Sequence, residues 1–89
     1  MANKRSLKRT IKLICGELFT EAVAASLYGN EAHHDNAEAV LYAVVKMQSN
    51  FVSRVSHPEP GMSAKKYFRD LREKLASQVG ELADQINNL

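Results

Sequence analysis

An 89-residue chain with twelve Lys and Arg against ten Asp and Glu carries a net charge of +2, too small a sum to point to a polyanion or a membrane surface. At this length roughly 60% of the unfolded surface can be buried, so a single domain over residues 1–89 is expected, with one modest core and a stability margin that a partner would raise. Cys15 is the single cysteine, which excludes an internal disulfide. No window approaches the roughly 18 consecutive apolar residues of a membrane span, so no membrane contact is expected. The opening "MANKRSLKRTIKLICGE" lacks the apolar run and small-residue cleavage site of a secretory signal, and a cytoplasmic protein is expected.

The chain falls into three segments separated by "YGNEAHHDN" and "SHPEPGMS", where Gly, Pro, Asn and Ser interrupt the apolar pattern. In the first, Leu7, Ile11, Ile14, Leu18, Ala22 and Ala25 recur at steps of three and four and share one helical face. Gly29 and Asn30 follow, residue types that close helices in the left-handed conformation. The second segment opens at "DNAE", where Asp35 is placed to cap and Glu38 to reach back as in a capping box. Its face is Ala37, Val40, Leu41, Val44, Met47, Phe51, Val52 and Val55, and Pro58 ends it near His57. Its β-branched residues raise a strand alternative, which the sustained spacing of three and four overrides.

The third segment starts at Ser63, a capping hydroxyl, with Met62 placed to pack on Tyr67 as a hydrophobic staple. Phe68, Leu71, Leu75, Val79, Leu82, Ile86 and Leu89 form its apolar face. The spacing therefore predicts an all-α fold, an antiparallel up-down-up three-helix bundle with helices over about 6–28, 36–56 and 64–87, each about 30 to 37 Å long. The stretch "SLKRTIKLICGELFTEAVAASLYGN" resembles the opening of short all-helical proteins of Bacteroidetes-type bacteria that have no assigned function. That resemblance covers the first third of the chain, contains no catalytic or ligand motif, and implies only a small helical bacterial protein of the cytoplasm.

Chemistry-bearing constellations are few. His33 and His34 are neighbours beside Glu31, Asp35 and Glu38, but adjacent histidines project in different directions and no cysteine is near, whereas a zinc site needs three or four converging ligands. A solvated helix connection is the expected role of this stretch. His57 has no nucleophile or orienting partner in view, and Cys15, about 80° around from Leu7, is expected to be a small buried hydrophobe. The four glycines never cluster into a phosphate loop. No enzyme, no metal and no cofactor are expected.

Charge placement and a second apolar strip say more. The first sixteen residues hold Lys4, Arg5, Lys8, Arg9 and Lys12 with no acid, while residues 17–60 hold six acids against Lys46 and Arg54. Helix three opens with Lys65, Lys66, Arg69 and Arg72 and closes with Glu81 and Asp84. An up-down-up bundle gathers the cations at one end, where Lys4, Arg5, Lys8, Arg9, Lys65, Lys66 and Arg69 form a candidate anion or nucleic-acid contact, the bland alternative being a solvated end. On helix one Leu13, Gly16, Thr20, Val23 and Leu27 fall between about 160° and 240° from Leu7, opposite the main stripe. Either helix one sits deep between its partners, or these are scattered surface apolar residues, or the strip is a self-association face. The expected function is a non-enzymatic helical interaction module that forms a homo-oligomer, a dimer being favoured, with weak nucleic-acid or anion binding at the basic end as the alternative.

Overall fold

The computed structural model describes residues 3–28 and 34–89, apart from the side chain of His34. These form three helices, α1 (Lys4–Tyr28), α2 (His34–Ser56) and α3 (Ala64–Asn87), packed as a three-helix bundle. No described residue is in a strand, and no helix among the described residues is long and apolar enough to cross a membrane.

Each helix starts for a local reason. The side-chain oxygen of Asn3 accepts from Ser6 N at 2.7 Å, and its carbonyl accepts from Leu7 N at 3.0 Å, so α1 begins two residues before the expected Ser6. α2 also starts two residues early, at His34, which places Asp35 inside its first turn rather than ahead of it. A carboxylate there still faces the positive end of the helix dipole. At α3 the expected cap holds: Ser63 Oγ accepts from Lys66 N at 3.2 Å and the helix begins at Ala64. Pro58 ends α2 as expected, and Gly61, with φ of 86°, supplies the left-handed turn that reverses the chain.

The predicted apolar faces converge on one core. Leu7, Ile11, Cys15, Leu18 and Ala22 from α1 meet Val40, Val44, Met47, Phe51 and Val55 from α2, and Leu71, Leu75, Leu82 and Ile86 from α3 close the third side. Phe51, Ile11, Val44, Val55 and Cys15 are the largest fully buried side chains. α1 and α2 lie closest to one another. Small buried side chains lie on both of these helices, Cys15 and Ala22 on α1 and Ala37 on α2.

One end of the bundle is fastened by an interaction that spacing does not predict. Tyr67 Oη donates to Arg54 O at 2.9 Å, joining the first turn of α3 to the last turn of α2 and satisfying a carbonyl that the helix end leaves free. The Tyr67 ring stands edge-on to Phe68, with centroids 5.4 Å apart. Above it the Arg54 guanidinium lies 5.2 Å from the Phe51 ring centroid. Phe51 is thus the pivot of the packing. Replacing it with alanine (Phe51→Ala) is expected to cost about 3–5 kcal/mol, enough to unfold much of so short a chain, as read by urea denaturation followed by circular dichroism.

Candidate interaction surface

The outer side of α1 is uncovered. Helix one does not sit deep between its neighbours: Leu13 and Leu27 are 64% and 72% exposed, Gly16 and Thr20 are also exposed, and Val23 is half-buried. All five lie across the helix axis from the buried Leu7, Ile11, Cys15, Leu18 and Ala22. The Thr20 hydroxyl is satisfied within the helix, Oγ1 donating to Gly16 O at 2.9 Å. Phe19, 40% exposed, extends the strip along one edge.

Gly16, like Gly80 on α3, is a helical glycine that intramolecular packing does not explain. It lies mid-helix with ordinary backbone geometry, and a Cβ built on it would meet nothing within 4 Å. A glycine there costs the helix about 1 kcal/mol relative to alanine, with no contact inside the bundle in return. It leaves a notch in the helix surface, and a shallow groove along it is walled by Lys12, Leu13, Glu17, Thr20 and Glu21. Lys12 and Leu13 continue this groove into a second one toward the N-terminus, lined otherwise by Lys4, Arg5, Lys8 and Arg9. One continuous surface thus runs from cations through an apolar notch to acids.

At the basic end Lys4 of α1 and Arg72 of α3 share a groove, while Arg5, Lys8 and Arg9 line the surface along α1 alone. The shared groove, of about 320 Å³ between the starts of α1 and α3, is lined by Asn3, Lys4, Leu7, Phe68 and Arg72. Lys65, Lys66 and Arg69 are exposed on the first turns of α3. Asp70 and Glu59 stand near Arg54 and Lys74 around a smaller cavity behind this end.

The remaining candidates separate cleanly. Cys15 is buried in the core, and desolvation by burial pushes its thiol above the usual cysteine range, the opposite of the exposed, low-pKa setting of a nucleophilic cysteine. His57 Nδ1 lies 3.0 Å from Ser53 O, which also accepts from His57 N at 3.1 Å, so the ring adds a second hydrogen bond at the end of α2 when that nitrogen carries the proton. His33 lies outside the described residues, and so does the side chain of His34. Among the described residues no three His, Cys, Asp or Glu side chains are grouped to hold a metal ion. Beyond Phe19 and Tyr28 on α1, which lie outside the predicted strip, α2 exposes two large apolar side chains that were not predicted, Tyr42 and Val45, and the Lys46 ammonium lies 5.5 Å from the Tyr42 ring centroid. They fall off the core stripe of α2 and form no run with it, so periodicity gave no signal for them.

Compared with known protein families, curated proteins and solved structures, the chain has no match.

Gly16 and Gly80 make a controlled pair, because a Cβ at Gly80, exposed on α3, also meets nothing within 4 Å. Within a single chain both Gly16→Ala and Gly80→Ala should stabilise by about 0.5–1 kcal/mol. If the notch at Gly16 receives another helix, Gly16→Ala alone also weakens association. Thermal midpoints at dilute concentration and sedimentation of both variants separate the two effects.

Proposed function

We propose that this protein is a non-enzymatic interaction module of the cytoplasm that self-associates through the outer face of α1. The observation that carries this reading is the notch at Gly16 on the same face of α1 as the exposed Leu13 and Leu27. Apolar side chains of this size along one face, with a bare backbone position among them, fit the close approach of a second helix. A second copy is the favoured occupant because its charges are complementary to those of the first. Lys12 edges the strip on one side and Glu17 on the other, so a copy of the same strip meets a cation with an acid. A thin core gives such a chain reason to gain stability from a partner.

Leu27→Glu and Gly16→Glu each place a charge in both halves of a symmetric contact, and both sites are open to solvent in the single chain. Each should convert the dimer to a monomer while leaving the helical circular dichroism spectrum intact, as measured by sedimentation at about 100 μM, where an interface of ordinary size remains occupied. A wild-type mass of one chain at that concentration would refute self-association.

The second reading, weak binding of nucleic acid or another polyanion, is supported by the meeting of Lys4 and Arg72 in one groove beside the exposed Lys65, Lys66 and Arg69. Cations at the start of a helix oppose its dipole, and a bound phosphate would relieve that repulsion. Retention on a polyanion resin should then fall steeply with salt, and neutralising Lys4, Arg5, Lys8 and Arg9 together should abolish most of it at low salt. Undiminished retention in that variant, or no retention by the wild type at low salt, refutes this reading.

A further inference from the structure

The exposed strip on α1 bears on the direction of pairing as well as on its location. Leu13, Gly16, Thr20, Val23 and Leu27 step by three and four, the spacing of a heptad seam. Extended toward the N-terminus, the same register reaches Arg9 and Ser6, which are polar and exposed, so the apolar seam begins at Leu13. Lys12 lies on one edge at about 140° from Leu7, and Glu17 on the other at about 280°. Both are exposed. They are five residues apart and occupy the two flanking positions that face each other across a parallel helix pair.

We propose that two copies of this chain pair in parallel along α1, with Lys12 of each copy facing Glu17 of the other and the closest backbone approach at Gly16. This rests on the self-association reading above. Two-fold symmetry makes the ion pair twice. Reversing one helix removes both pairs and brings the two Glu17 side chains together near the axis, since an antiparallel pair sets like edges side by side. Parallel pairing also brings the two Arg9 side chains near each other. That meeting lies beyond the apolar seam, where long side chains turn into water.

A competing effect is the charge order along α1, cations before Lys12 and acids after it, which favours an antiparallel arrangement at long range. The Debye length of about 8 Å at physiological salt screens those separated charges, whereas the Lys12 and Glu17 contacts beside the seam lie within it. Contact pairs therefore decide the orientation.

The test is disulfide trapping on the full chain. In a parallel pair each seam residue meets its own counterpart, so the Leu13→Cys variant cross-links to itself under mild oxidation. In an antiparallel pair Leu13 lies beside Val23 of the second copy, and a disulfide forms only when Leu13→Cys and Val23→Cys chains are mixed. The native Cys15 does not compete, being buried. As a second measurement, Lys12→Glu and Glu17→Lys should each weaken the dimer about three- to tenfold, and the double variant should restore it, as expected of exposed ion pairs formed twice. Cross-linking in the mixture alone, or no restoration in the double variant of a dimer that each single change weakens, overturns the parallel arrangement while leaving self-association standing. A wild-type chain that sediments as a monomer at about 100 μM removes both.

Discussion

A helix in a three-helix bundle has one side covered by its neighbours and one side in water, and every feature of this molecule follows from how the chain meets that constraint. α2 and α3 each turn one apolar stripe inward, and these stripes meet in a core whose largest fully buried side chain is Phe51. α1 carries apolar residues on both sides, and two neighbours cannot cover both. The inward side wins because Ile11, Cys15 and Ala22 fit closely against α2, and Leu13 and Leu27 remain in water. Leaving them there forgoes burial of the order of 2 kcal/mol per large side chain. The proposed pairing with a second copy would recover it.

The distribution of charge adds a second tension. Lys4, Arg5 and Lys8 occupy the start of α1, where a helix favours acids, and Lys65 and Lys66 do the same at the start of α3. Each such placement costs only some tenths of a kcal/mol, and α2 offsets part of it by ending on Arg54. Lys4 and Arg72 line the groove between α1 and α3, and the core contains no charged side chain among the described residues. The end of the bundle is held by the neutral hydroxyl of Tyr67 and by the Arg54 guanidinium on Phe51, neither of which depends on salt to the degree that exposed ion pairs do.

Most of the fold was legible because helical spacing is a strong signal when an apolar face is sustained for six or more positions. The stripes read from Leu7 to Ala25, Ala37 to Val55 and Phe68 to Leu89 are the faces that pack. The starts of α1 and α2 were displaced by two residues for local reasons. Asn3 caps a helix whose first turn is basic, against the usual acidic signal, and Asp35 serves in the first turn instead of before it. The hydrogen bond from Tyr67 to Arg54 joins residues thirteen apart in sequence, a geometry that depends on where the turn at Gly61 sends the chain. For the candidate surface, residue positions around the axis were legible from angle alone. Which side would be left open was not, because that depends on how closely α2 and α3 wrap α1.

The central claim is that the strip from Leu13 to Leu27 is covered in solution by a second copy of this chain. The thermal midpoint measured as a function of protein concentration tests it most directly, because association adds stability only to the folded state. From about 1 μM to about 1 mM, the midpoint should climb by several degrees in the wild type. A midpoint that stays constant across that range would contradict the account.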